Sequence, residues 1–118
     1  MRRDPRAFLN DVIESGNAIS QAIAGICLED YSQSRLIRSS VEREFTIIGE
    51  ALNQLLQQDR ELFEQVEEAP QIIAFRNKLT HEYTKINDQL VWGLIQTNLP
   101  VIVQRCSHLL RKLDDGGS

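Results

Sequence analysis

Apolar residues recur at steps of three and four along most of the chain, which is the spacing of one face of an α-helix. The first pattern has Pro5 in its first turn and contains Phe8, Leu9, Val12, Ile13, Ile19, Ala22, Ile23 and Ile26. The polar segment EDYSQSR follows, and we interpret it as a short connection. A second pattern contains Leu36, Ile37, Val41, Phe45, Ile48, Ala51, Leu52, Leu55 and Leu56. Each pattern predicts a long amphipathic helix.

The second half of the chain contains two further helical patterns. The segment DRELFEQVEEAP lies between the second and third helical patterns. It has few apolar residues and predicts a short helical turn before Pro70. The third main helix is expected to begin near Pro70 and to contain Ile72, Ile73, Phe75 and Leu79. The last helix is expected to begin at an N-cap, Asn87 or Asp88, and to bend near Pro100 because proline lacks the backbone N–H. Its apolar positions are Leu90, Val91, Leu94, Ile95, Ile102, Val103, Cys106, Leu109, Leu110 and Leu113.

No alternating pattern of the kind found in strands extends over a useful length, and the chain has no internal repeats. The sequence therefore predicts an all-α, antiparallel bundle of four main helices with one short extra helical turn. A length of 118 residues suits one domain, which we place at residues 1–113. The ending DDGGS, residues 114–118, is predicted to be a flexible tail. In the IIGE segment, Gly49 is expected to let two helices approach closely.

Composition narrows the class of protein. Hydrophobic residues make up 42% and charged residues 25%, as in soluble globular proteins, and no apolar run approaches the roughly 20 residues that cross a bilayer. No secretory signal is visible at the N-terminus, so we expect a cytoplasmic protein without membrane association. Cys27 and Cys106 stand apart among apolar neighbours and predict buried thiols. With His81 and His108 they match no familiar zinc spacing, and we expect neither a metal nor a cofactor.

A group of polar residues in the segment AFRNKLTHEY is the main candidate for chemistry. Arg76, Asn77, His81 and Tyr83 lie within eight consecutive positions. On a helix, Asn77 and His81 share a face, whereas Arg76 and His81 are five residues apart and diverge by roughly 140°. Either the helix ends or is distorted near His81, or a second copy of the protein completes the site. Both explanations predict a composite site.

Arginine and histidine together suit phosphodiester chemistry. A guanidinium binds phosphate oxygens in a bidentate manner and stabilises the charge of the transition state. Histidine titrates near neutral pH, so it can accept a proton from an RNA 2′-hydroxyl or give one to the leaving oxygen. Asn77 could orient the phosphate or the imidazole, and Tyr83 could donate a hydrogen bond. The net charge of −4 argues against binding of nucleic acid through the overall field but leaves a local basic groove open.

A structural role for these residues is the alternative. Arg, Asn and His on a solvated helix face are more often surface residues or caps than catalysts, and Tyr83 could be a half-buried packing residue. His108 has Arg105, Arg111 and Lys112 as neighbours and is assigned to the solvated face of the last helix. Trp92 is assigned to the core or to an interface.

Three segments of the chain resemble one known family. RNKLTHEY resembles the RxxxxHxY signature of the HEPN family, with Arg76, His81 and Tyr83 on the motif positions. VEREFTIIGEALNQL resembles the helix that precedes the motif in the HepT-like toxin branch, where an IIGEA block recurs. IND, Trp92 and TNLP resemble the same branch further along, so the resemblance spans roughly residues 6 to 112. The tryptophan often found shortly before the motif in relatives is absent from EEAPQIIAF.

This resemblance implies an all-α HEPN bundle that forms a homodimer, in which the motifs of two protomers face one another. Proteins of this branch are metal-independent ribonuclease toxins that cut RNA and are paired with a minimal nucleotidyltransferase antitoxin. Carried over to this chain, Arg76 and His81 would be catalytic, Asn77 would support the site, and Tyr83 would be the residue whose adenylylation silences the toxin. Two other readings stay open: a non-catalytic HEPN module that binds nucleotide or RNA and serves a nucleotidyltransferase, and a purely structural helical dimer.

Overall fold

Seven α-helices form the described part of the chain in the computed structural model, which covers residues 2–81 and 86–116 and, for His81, the backbone alone. They are α1 (Pro5–Ala22), α2 (Leu28–Gln33), α3 (Arg35–Gln58), α4 (Arg60–Glu64), α5 (Ala69–His81), α6 (Asp88–Gln96) and α7 (Asn98–Gly116). The described residues contain no strand. The predicted all-α class is therefore confirmed.

Helix α1 packs against both α3 and α7, and the three form the centre of the bundle. It begins at Pro5, where the Asp4 carboxylate accepts the backbone N–H of Arg6 at 3.0 Å and caps the first turn. Arg6 also forms an ion pair with Asp114 at 3.1 Å, so the start of α1 lies beside the end of α7. Gln58, the last residue of α3, donates to the carbonyl of Arg3. Helices α3 and α7 thus both run antiparallel to α1.

Helix α5 packs on α3, and the contact between them includes an aromatic pair. The rings of Phe45 and Phe75 meet edge to face, with centroids 5.2 Å apart. Such a pair adds about 0.5–1.5 kcal/mol to the free energy of unfolding beyond simple burial. Helix α4 connects α3 to α5 and packs on α3, with Leu62 and Phe63 buried. The predicted short helical turn is therefore confirmed.

The last predicted helix is in fact two helices, α6 and α7, with a break at Thr97 rather than a bend at Pro100. Pro100 has no N–H to donate to the carbonyl of Gln96, so α6 ends at Gln96. The hydroxyl of Thr97 donates to the carbonyl of Gly93 at 2.7 Å and closes the helix end. Asn87 is the N-cap of α6, as predicted, with its side-chain oxygen accepting from Gln89 and Leu90.

The segment EDYSQSR is not merely a connection, because most of it lies in α2. Tyr31 of α2 is fully buried, and its ring centroid lies 5.7 Å from that of Trp92, a half-buried residue of α6. Two predictions of burial are wrong at the edges of this region. Cys27 is exposed as the N-cap of α2, where its backbone N–H donates to the Asp30 carboxylate. Leu36, in the first turn of α3, is 81% exposed because Ile37 takes the inward position.

The C-terminal helix is longer than predicted and contains the second cysteine. Helix α7 continues through Gly116, past the predicted boundary at residue 113, and Asp114 is held by its ion pair with Arg6. Cys106 is buried as predicted, and its burial raises the thiol pKa to about 12. No helix in the described ranges is long and apolar enough to span a membrane.

Candidate active site

Arg76 lies in the middle of α5 and points across α3. A Cβ placed on Gly49 would overlap the Cβ of Arg76 and would lie 2.6 Å from its Cγ. The two helices can therefore touch here only because residue 49 has no side chain. The predicted close approach at Gly49 is confirmed, and the partner at the contact is the arginine of the motif.

The guanidinium of Arg76 is held by two side chains. One terminal nitrogen, Nη2, donates to Oε2 of Glu50, and the other, Nη1, donates to Oδ1 of Asn77 at 3.1 Å. The second oxygen of Glu50 accepts from Nε2 of Gln54 at 3.0 Å. The side chain of Arg76 is 21% exposed, so its stem is enclosed while its charged end reaches the surface. This is the geometry of a guanidinium presented to an anion.

Helix α5 is described as far as His81, which is the histidine of the motif. Just before it, the hydroxyl of Thr80 donates to the carbonyl of Arg76. No side chain is described for His81, and Tyr83 lies outside the described residues. Their predicted roles stay predictions, and both explanations of a composite site remain open.

Two clefts lie in this region, one along α3 and one between α5 and α6. One is an open polar cleft of about 540 Å³ beside the Arg76–Glu50 pair, lined by Arg2, Glu50, Asn53, Gln54, Gln57 and Gln58. The other is a mainly apolar groove of about 370 Å³ between α5 and α6, lined by Gln71, Ala74, Phe75, Lys78, Leu90, Leu94 and Asn98. The polar cleft therefore offers space beside Glu50, the residue that holds the guanidinium of Arg76.

Sequence reasoning brought together Arg76 and Asn77 but missed Glu50 and Gln54. Glu50 is 26 positions from Arg76, and no local pattern joins them. A signal did exist, because Glu50 directly follows the glycine that was expected to admit a second helix. His108 is exposed on α7 beside Arg111, as expected for a solvated face, and is not near this site. In the described part of the chain, no group of three His, Cys, Asp or Glu residues is placed to hold a metal ion.

Comparisons with known proteins all lead to one family. The sequence model of the family described as Ribonuclease HepT-like matches residues 12–109. A protein of Methanocaldococcus jannaschii named as a candidate RNase is 33% identical over 101 residues, which are 86% of this chain and 92% of the relative. A candidate RNase of Caldanaerobacter subterraneus is 27% identical over 110 residues, covering 93% of this chain and 97% of the relative.

A third relative, from Thermococcus cleftensis, is named as a candidate ribonuclease HepT and is 25% identical over 100 residues. The match covers 85% of this chain and 90% of the relative. No solved structure matches the chain.

Proposed function

Because the chain belongs to the Ribonuclease HepT-like family, we propose that it is an RNA endonuclease that acts as the toxin of a toxin–antitoxin pair. This membership confirms the resemblance to the HepT-like branch of the HEPN family. The observation that carries the proposal is Arg76, whose stem is packed on Gly49 and whose charged end is held at the surface five residues before His81.

The proposed reaction is a metal-independent transesterification. The imidazole of His81 accepts the proton of the RNA 2′-hydroxyl, O2′ attacks phosphorus, and the bond from phosphorus to O5′ breaks as O5′ receives a proton from an imidazolium. Arg76 binds the non-bridging oxygens and stabilises their added negative charge. The products are a 2′,3′-cyclic phosphate and a 5′-hydroxyl. Asn77 supports the site by holding Nη1 of the guanidinium.

A homodimer would complete the site. On one helix the side chains of Arg76 and His81 start in directions that differ by roughly 140°. In the proposed dimer, two copies related by a two-fold axis pack with Arg76 of one protomer near His81 of the other. A two-fold interface repeats every contact, so this pairing occurs twice. The proposed active unit is therefore a cytoplasmic homodimer with two composite sites.

The activity of the toxin is proposed to be regulated at Tyr83. The partner of the toxin would be a cognate minimal nucleotidyltransferase that adenylylates the hydroxyl of this tyrosine. The AMP group would add a negative charge and bulk two residues from His81, and both would exclude an RNA phosphate.

The test is expression of this protein alone in a bacterial host, with wild type compared with His81→Ala. Wild type is expected to arrest growth and to produce RNA ends with 2′,3′-cyclic phosphate, and purified wild type should cut RNA in the presence of a chelator. His81→Ala should do neither. Intact RNA from a folded wild type whose mass shows no AMP would contradict the proposal.

The second candidate is a non-catalytic module that binds nucleotide or RNA and serves a nucleotidyltransferase. It is favoured by the net charge of −4 and by the acidic Glu50 at the arginine, since both weaken attraction of RNA. It predicts that wild type and Arg76→Ala bind the partner equally and that neither cuts RNA.

A further inference from the structure

We propose that Glu50 is a positioning residue that aims the guanidinium of Arg76 at the scissile phosphate, and that Gln54 holds the Glu50 carboxylate in place. The proposal rests on the proposed function of Arg76. It adds α3 to a site that the motif alone places on α5.

The path of the Arg76 side chain is fixed at its base. The absence of a Cβ at Gly49 lets the Cβ and Cγ of Arg76 lie flat on α3. The stem then runs to Glu50, the next residue of that helix, where Nη2 donates to Oε2. Because the start of the stem and the end of the guanidinium are both fixed by neighbouring residues of α3, the side chain has little freedom to swing towards solvent.

The number of N–H groups on the Arg76 guanidinium shows which donors the bond to Glu50 leaves for a phosphate. A guanidinium has five N–H groups, one on Nε and two on each terminal nitrogen. Among the described residues, Nε is buried without a partner, Glu50 accepts one hydrogen of Nη2, and Asn77 accepts one hydrogen of Nη1. Contacts with these residues leave one further N–H on each terminal nitrogen. Both of these groups can donate to oxygens of a phosphate.

The carboxylate orients the arginine but does not attract RNA. Its side chain is 44% exposed and carries the same sign of charge as the phosphate. Removing it should therefore lower kcat, because Arg76 is no longer aimed, without weakening RNA binding to the same degree. Gln54 donates to the free carboxylate oxygen at 3.0 Å and limits rotation of Glu50.

Three variants of Glu50 separate the effect of its side-chain length from the effect of its charge. Glu50→Ala removes the acceptor, and Glu50→Asp keeps the charge but withdraws the carboxylate by about 1.5 Å. Glu50→Gln keeps an oxygen at the same reach without the charge. For the first two we expect kcat to fall about 10- to 100-fold, since a misplacement of about 1 Å can have effects of this size. Glu50→Gln should stay within about threefold of wild type because it still accepts from Arg76.

The experiment measures kcat and KM on a short fluorogenic RNA, with circular dichroism to establish folding. Glu14→Ala is the matched control, because Glu14 is an exposed glutamate of α1 and its removal changes the net charge equally. Unchanged kcat in Glu50→Ala, with Arg76→Ala inactive, would overturn the positioning role alone. A higher kcat would also overturn it, because Glu50 would then be competing with the phosphate. If wild type fails to cut, or Arg76→Ala cuts equally, the proposed function itself fails.

Discussion

Gly49 is the residue that determines how close the reactive arginine can lie to α3. Adding a methyl group in the middle of a helix usually raises the free energy of unfolding by about 1 kcal/mol, because alanine favours helix more than glycine does. At this position the methyl group would overlap the Cβ of Arg76, which cannot rotate away as the end of a side chain could. Overpacking of this kind costs about 1–3 kcal/mol, so the steric term exceeds the helix term.

We therefore expect Gly49→Ala to lower the free energy of unfolding by up to about 2 kcal/mol and to lower RNA cleavage as Arg76 is displaced. Urea unfolding and a cleavage assay measure the two effects. The matched control is Gly93→Ala in α6, where a Cβ would meet no atom within 4 Å. The free energy of unfolding of that variant should rise by up to about 1 kcal/mol. An equal rise in both variants would show that the contact at Gly49 is not rigid.

Glu42 is a second residue with a testable effect, this time on the dependence of stability on pH. Burial raises the pKa of Glu42 above its ordinary value, and Asp88 of α6 raises it further, while Arg38 opposes the shift. The buried hydroxyl of Tyr31 from α2 belongs to the same cluster: its pKa is raised mainly by burial and further by the charge of Glu42. An acid with a raised pKa destabilises the fold when it is charged, so the cost is present at pH 7 and disappears as the pH falls to about 4.5.

Glu42→Gln is therefore expected to raise Tm at pH 7, with a gain that shrinks as the pH is lowered towards 4.5. Thermal unfolding followed by circular dichroism between pH 4 and pH 8 tests this. Glu14→Gln removes an exposed charge from α1 and should leave the difference from wild type near zero throughout. A loss of stability in Glu42→Gln at pH 7 would show that the charged carboxylate is favourable.

At the scale of elements, capping residues set where the helices begin. The side-chain oxygen of Asn87 accepts the N–H groups of Gln89 at 2.8 Å and Leu90 at 3.2 Å. Asn87→Ala leaves both groups without this partner and is expected to lower the free energy of unfolding by about 1 kcal/mol. Asn87→Ser keeps a side-chain acceptor, so its free energy of unfolding should fall much less. Denaturant unfolding of the three proteins tests the cap, and equal stability of the Ala and Ser variants would contradict it.

The long helices could be predicted from sequence because each has an apolar face that repeats over several turns. The interruption at Thr97 could not, because the apolar pattern continues through it while a missing N–H and a threonine hydroxyl end the helix. Helix α2 could not either, since six residues are too short to show a period. Its burial depends on Tyr31, whose position under Trp92 is a tertiary contact.

The candidate site was predictable only as far as it is local. Arg76 and Asn77 could be named as candidates because they are neighbours in one polar segment, and the motif supplies His81 and Tyr83 by resemblance. The hydrogen bond between Arg76 and Asn77 was not predicted, because adjacent helix positions do not share a face. Glu50 comes from a different helix, and its contact depends on the register of α3 against α5. Register is set by packing at Gly49 and by the ring pair of Phe45 and Phe75, neither of which a linear pattern fixes.

At the scale of the whole molecule, the separation of Arg76 and His81 on one helix leads to a test of the composite site. Arg76→Ala and His81→Ala should each be inactive alone. If each site takes its arginine from one protomer and its histidine from the other, a mixed dimer has one site with both residues intact and one with neither. We therefore expect mixed dimers to recover about half of the wild-type kcat per dimer.

Coexpression of the two variants with different affinity tags, followed by purification on both tags, isolates the mixed dimers for the cleavage assay. The control is a mixed dimer in which both protomers carry Arg76→Ala, which should stay inactive because no arginine is present in either site. If the Arg76→Ala/His81→Ala dimer is also inactive, each site must draw both residues from one protomer. The end of α5 would then have to bring Arg76 and His81 together within a single chain, since a regular helix holds them apart.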